Sequence, residues 1–210
     1  KWLRNFDVLP DFVVLEGRGA GGHLGFSRED MDDEKLGLEN LTKELVDLLK
    51  EFKDKYKKTI PLFVAGSVMD HDDLKRFQDL GADGIQVGTR FIATHEADAH
   101  QNMKEAIVKA KKEDIALIDS PAGFLGRALD NDFIKRTRSE RVPPKKCINC
   151  LSPCNPKTTQ YCITDALIAT AEGRLDEGLV FCGSRVDEIE DIKSVKEVLE
   201  DLTGQDLGEG

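Results

Sequence analysis

The most chemically suggestive residue in the chain is His23, the lone imidazole in "LEGRGAGGHLG" (Leu15–Gly25), a run that holds five glycines. Imidazole titrates near an ordinary pKa of ~6.5, so it can take or give a proton close to neutral pH. A histidine in a glycine turn can equally be bonded to backbone, and the residues alone leave both readings open. Two later apolar runs also end in glycine, "FVAGS" at Gly66–Ser67 and "IQVGTR" at Gly88–Thr89. Glycine lets backbone N–H groups approach an anion and take positive φ, which is how such loops cradle phosphate. Any one of these glycines is as readily a tight turn, but three at corresponding places favour a phosphate site.

A second constellation is Cys147, Cys150, Cys154 and Cys162, spaced C-x2-C-x3-C-x7-C, with Cys182 apart. Thiolates so close in sequence suit a soft metal, zinc or an iron–sulfur cluster, because a short C-x2-C brings two ligands to one ion. The competing reading is unligated thiols packing a terminal cap. His95 and His100 follow the third glycine loop, where surface or helix-capping roles are expected.

The elements that must position these residues alternate in type. "DFVVLEG" (Asp11–Gly17), "IPLFVAGSV" (Ile60–Val68) and "DGIQVGTRF" (Asp83–Phe91) read as buried strands. Between them, Leu41, Leu45, Leu48, Phe52 and Tyr56 mark an amphipathic helix. Leu74, Phe77 and Leu80 mark another, capped by Asp70 and stopped by Gly81. This order predicts right-handed βαβ units and a parallel sheet, with the ligand beyond the carboxyl ends of its strands. A helix is expected over Asp98–Lys112. "DSPAGFLGRALDND" and the segment from Arg141 to Cys162 show no readable period. Two helices then close the chain, one carrying Ile163, Leu167 and Ala171, the other Ile189, Ile192, Val195, Leu199 and Leu202.

Composition excludes other classes. The 210 residues suffice for one large domain, and no apolar run approaches the ~20 residues needed to cross a bilayer. A formal charge of −10 opposes nucleic-acid binding. An odd set of five cysteines suits a reducing cytoplasm rather than a disulfide framework. The first residue is Lys1 rather than Met, so an upstream region or targeting segment is allowed for.

"EGRGAGGHLG", "IPLFVAGSVMDHDDL", "LGADGIQVGTRFIATHEADAH" and "SPAGFLGRAL" together resemble the nitronate monooxygenase family, also called 2-nitropropane dioxygenases. These are FMN-dependent TIM barrels and include flavin-dependent enoyl-acyl-carrier-protein reductases. The closing segment from Tyr161 is similar to the tail of one bacterial branch. The resemblance implies that Glu16, Gly21, Gly22, Gly66, Ser67, Gln86, Val87, Gly88 and Thr89 line the FMN. Gly66, Gly88 and Thr89 would hold its phosphate, and His23 would be catalytic. It also implies a small-molecule substrate, a nitronate or nitroalkane, oxidised with O2. "AGSV" departs from the usual second glycine, so Ser67 must take that backbone conformation or the loop must shift.

A TIM barrel has eight strands in ~250 residues, and this chain offers three. The fold expected is therefore α/β, the last three strands of a barrel within residues 1–100, followed by a mainly helical, cysteine-containing extension over 101–210. The other barrel strands would lie upstream or in a second chain. Two alternatives accompany the monooxygenase reading: an enoyl-thioester reductase using NAD(P)H, and a non-catalytic barrel fragment that assembles with a partner.

Overall fold

A computed structural model describes residues 8–208. In chain order the first half holds β1 (Val13–Glu16), β2 (Gly22–His23), α1 (Leu38–Tyr56), β3 (Leu62–Ala65), α2 (His71–Asp79), β4 (Gly84–Gln86) and the one-turn α3 (Thr89–Ile92). The second half holds α4 (Gln101–Lys109), β5 (Ile115–Asp119), β6 (Leu125–Leu129), α5 (Asp132–Ser139), α6 (Ile163–Ala171) and α7 (Val195–Thr203). No described helix is long and apolar enough to cross a membrane.

The three apolar runs form a parallel sheet in the order β1-β3-β4. Glu16, Ala65 and Gln86 stand in one cross-strand row at its carboxyl end. Leu62 and Val64 of the central strand are buried with Val68, Phe77 and Ala82. Each of the Leu, Val and Phe side chains contributes roughly 1.5–3 kcal/mol when fully buried. α1 packs on this cluster through Leu38, Leu45, Val46 and Leu49. Leu48, expected on that face, is 47% exposed. The packed stripe is therefore rotated from the one that periodicity suggests; Thr42, buried, satisfies its hydroxyl by donating to Leu38 O. β1 and β4 are both edges of this sheet, and Phe12 and Val14 remain exposed beside one of them.

The helix boundaries follow their caps. Asp70 accepts from Asp73 N and starts α2, as expected. The closing helix is shorter than its apolar residues suggest: Ser194 and Glu197 form a capping box that starts it at Val195, leaving Ile189 and Ile192 outside. "GTRF", expected to continue the third strand, instead turns into α3 after Gly88.

The larger correction lies in the second half. The stretch "DSPAGFLGRALDND", which lacked a readable period, holds β6 and is flanked by β5 and α5, so the extension is not simply helical. β5 and β6 form an antiparallel hairpin, and β6 also pairs antiparallel with β2, with Gly22 opposite Arg127 and His23 opposite Gly126. Beyond β2, Phe181 bridges to Ala128, and the N–H of Leu129 donates to Val180 O at 2.9 Å. Residues of the glycine loop and of the extension thus share one sheet. Tyr161, Ile163, Phe133 and Ile134 bury its outer side with Ile118 and Ala128.

Candidate active site

The glycine-bearing loops converge on one cavity of about 290 Å3, near the lower end of the ~300–1,000 Å3 typical of small-molecule sites. Its lining includes Glu16, Gly21, Gly22, Gly66, Ser67, Gln86, Val87, Gly88 and Thr89, every residue expected to line a cofactor. The opposite wall comes from Phe181, Cys182, Gly183 and Arg185, which sequence reasoning did not assign.

The loop after β3 is the most constrained. Gly66 has φ +89°, and an added Cβ would lie 2.9 Å from Gly17 O. Ser67 takes positive φ as well, 67°, the conformation its position demanded. That costs roughly 1–2 kcal/mol outside glycine. Its hydroxyl donates to Gly19 O at 3.2 Å and meets Ser184 Oγ at 2.5 Å, which offsets the strain locally. Behind the loop, buried Asp73 accepts from Met69 N at 2.8 Å and pairs with Arg185 at 2.6 Å. Arg185 in turn donates to Ser67 O at 3.1 Å. Glu188, ahead of Asp73, raises the Arg185 pKa, so this cross-link stays charged.

These residues fit an anionic cofactor. Among the described residues, no group accepts from the backbone N–H of Gly66, Ser67, Gly88 or Thr89, all of which line the cavity. At Gly88 an added Cβ would meet nothing within 4 Å, so the backbone there faces open space. Glu16 keeps solvent contact on one side, while partial burial raises its carboxyl above the ordinary range.

His23 stands at the end of β2, flanked by cavity-lining Gly22 and Phe181 but not itself in the lining. Its ring lies 5.2 Å from Phe181, edge to face, and 5.9 Å from Phe124. Nε2 is 2.7 Å from Ser120 Oγ, which also accepts from Ala122 N at 3.2 Å. Ser120 is buried and was not anticipated. Its signal was present: Ile115–Asp119 and Leu125–Leu129 are apolar runs separated by Ser120–Phe124, a stretch with proline and glycine, which is the pattern of a hairpin. His100 caps α4 by accepting from Asn102 N, and His95 is exposed, so neither joins the site.

Cys147, Cys150, Cys154 and Cys162, expected either to hold zinc or an iron–sulfur cluster or to pack as unligated thiols, are all free cysteines. The four line a small cavity of about 120 Å3, but among the described residues no three His, Cys, Asp or Glu side chains are arranged to hold a metal. The sulfurs engage local polar groups instead. Cys147 Sγ accepts from Asn149 N at 3.5 Å, and Cys150 Sγ lies 3.2 Å from Thr164 Oγ1. Burial raises the Cys162 pKa, which favours the thiol.

The parallel strands thus bring their carboxyl-end loops to one ligand-sized cavity beside a held imidazole, the place where α/β sheets bind ligands. The chain belongs to the nitronate monooxygenase family, whose model matches residues 2–205; the family comprises flavin oxidoreductases. It is 32% identical over 160 residues to a Staphylococcus haemolyticus protein named Probable nitronate monooxygenase, covering 74% of this chain and 42% of the relative. A Bacillus subtilis protein of the same name is 27% identical, covering 94% and 52%. Among solved structures, FabK from Thermotoga maritima superposes with TM-score 0.67 at 26% identity, over 93% of this chain and 54% of FabK. The nitroalkane oxidase of Streptomyces ansochromogenes gives 0.65 at 23% identity, over 93% and 51%, a likeness of fold. Both are TIM-barrel enzymes. The chain spans about half the length of the curated relatives it matches.

Proposed function

We propose that this chain is the carboxyl-terminal part of an FMN-dependent nitronate monooxygenase. Residues 1–100 would supply the last three barrel strands, and 101–210 an extension that closes the far wall of the cavity. The open edges at β1 and β4 are where further barrel strands, from the same chain or a second one, would pair. The observation that carries the reading is the convergence of three glycine loops on one cavity with His23 at its rim, two of them offering backbone N–H groups that no described residue accepts.

In this reading Gly66, Gly88 and Thr89 hold the phosphate through backbone N–H groups. Glu16 and Gln86, in one row at the strand ends, flank the rest of the cofactor with Gly21, Gly22, Ser67 and Val87. Bound FMN would supply the two-electron acceptor and the reactivity toward O2. The chain's own task is proton transfer. With Nε2 of His23 held by Ser120, and no described group bonded to Nδ1, Nδ1 is the nitrogen left to take a proton from the carbon beside a nitro group. The aromatic rings of Phe124 and Phe181 hold the imidazole's plane.

The test uses the intact protein. A flavin absorbance spectrum and O2-dependent turnover of a nitronate are expected. His23→Asn should keep the flavin and lower turnover of a neutral nitroalkane by ~10²-fold or more, with a smaller loss for a preformed nitronate. A second reading, enoyl-thioester reduction with NAD(P)H, draws on the likeness to FabK. NAD(P)H oxidation that is stimulated by an enoyl thioester and not by a nitronate would replace the monooxygenase reading. A colourless intact protein would replace both with a non-catalytic role.

A further inference from the structure

Arg127 is 6% exposed, and among the described residues no carboxylate lies within ion-pair distance of it. A guanidinium held away from water and from any carboxylate is costly to keep, so the destination of its donors is informative. Nη1 donates to Arg18 O at 2.7 Å and to Ala20 O at 2.6 Å. These two carbonyls bracket Gly19 in the segment leading from β1 into β2, where Ala20, Gly21 and Gly22 line the cavity. The backbone of Arg127 is engaged with the same wall. It stands opposite Gly22 in the β2–β6 register, and its carbonyl accepts from Cys182 N at 3.3 Å. The next residue toward the hairpin turn, Gly126, stands opposite His23.

We propose that Arg127 is a positioning residue: its buried guanidinium pins the Arg18–Gly22 segment, and through that segment sets the near wall of the cavity and the place of His23. The proposal rests on the flavin reading of the cavity for its effect on cofactor binding, though not for the pinning itself. Arginine suits the task because it stays charged and its planar fork aims donors in fixed directions. Charge-assisted bonds to carbonyls are roughly twice as strong as neutral ones. The segment needs such an anchor, since glycine at 17, 19, 21 and 22 leaves its backbone free to swing. β6 therefore reaches the site twice, by pairing with His23's own strand and by holding the loop that leads into it.

The experiment compares wild type, Arg127→Met and Arg127→Lys in the intact protein by FMN titration of the apoprotein and by amide hydrogen exchange. Arg127→Met should raise the FMN dissociation constant by about tenfold or more, the scale of losing charge-assisted bonds. It should also speed exchange in residues 17–22 selectively, leaving the segments around Gly66 and Gly88 protected. Arg127→Lys, able to reach one carbonyl, should recover part of both effects. If wild type does not bind FMN, the flavin reading fails and the exchange comparison still decides the pinning. Unchanged exchange in residues 17–22, or equal loosening of that segment and the β5–β6 hairpin, would overturn the proposal. Should Arg127→Met fail to fold, the same criterion applies to Arg127→Lys.

Discussion

The parallel sheet β1-β3-β4 and the antiparallel sheet β2-β6-β5 both serve the cavity, yet they are assembled in opposite ways. The first is built from apolar runs joined by helices, each strand followed by its own glycine loop. Its second and third loops present backbone N–H groups to the cavity that no described residue accepts. The second gathers a two-residue strand from the glycine loop and a hairpin about a hundred residues later, which is paired and buried throughout β6. It contributes side chains that hold other things in place: Ser120 holds His23, and Arg127 holds the loop. In the proposed function the parallel sheet is the receptor for a ligand, and the antiparallel sheet the brace for the residues around it.

That contrast makes its sharpest prediction at Gly88. The residue has φ −119°, which any amino acid adopts, and an added Cβ would meet no neighbour. Gly88→Val should therefore fold normally, with stability within about 0.5 kcal/mol of wild type. Its isopropyl group would occupy the approach to the unpaired N–H groups, so FMN affinity should fall by ~100-fold or more. Full flavin retention by a folded Gly88→Val protein would remove the loop after β4 from the receptor role.

A smaller effect of the opposite kind is expected where the two sheets touch. An added Cβ at Gly21 would lie 2.5 Å from Cys182 C and 2.7 Å from Gly183 N, both backbone atoms that cannot turn aside. Gly21→Ala should cost roughly 1–3 kcal/mol as an overpacked contact, read as a lower denaturation midpoint with an unchanged slope. The same stability as wild type would mean that the glycine loop is not seated on the 182–183 strip. In that event the brace is formed by β6 alone.

The difference in assembly also explains what was legible in the sequence. The strands of the parallel sheet and their glycine loops could be read because the information is local: Leu62, Phe63, Val64 and Ala65 follow in succession, then Gly66 and Ser67, so burial and turn are adjacent. His23 stood out by type. Its partner did not, because nothing local to Ser120 tells that β6 will pair with a two-residue strand 97 positions from it and bring the two side chains together. Arg127 was hidden for a related reason. It sits in a strand whose five residues are all buried, where arginine contradicts the expected apolar composition and only its tertiary hydrogen bonds account for it. The cysteine spacing carried less: short spacing brings thiols near one another, but convergence on an ion needs side-chain directions that spacing does not specify, and among the described residues no three ligating side chains converge.

The smallest effect concerns two groups that the bracing half keeps neutral. Burial pushes the Cys182 thiol from an ordinary 9.0 up to about 12, with Arg127 pulling weakly the other way. Burial, aided by the Asp119 carboxylate and opposed by the nearby Ser120 hydroxyl, likewise raises Tyr161 from 10.0 to about 12. Both groups hold their protons more tightly in the folded chain than in the unfolded one. The stability they contribute is thus fully present below pH 9 and is lost as pH rises from the unfolded values toward about 12. Between pH 8 and pH 10 the loss from Cys182 should be on the order of 1 kcal/mol, with less from Tyr161. Urea unfolding at those two pH values checks this, with Cys182→Ala as the control. The substitution changes the baseline stability, but it removes the titrating group, so its drop between the two pH values should be smaller by about that amount. The parallel sheet has no comparable buried thiol or phenol among the described residues, so hydrogen exchange at pH 10 should show added opening around β6 and Val180–Cys182 before β3. Equal drops in the two proteins would show that the Cys182 thiol can ionise where it stands, through an opening of the brace that does not unfold the chain.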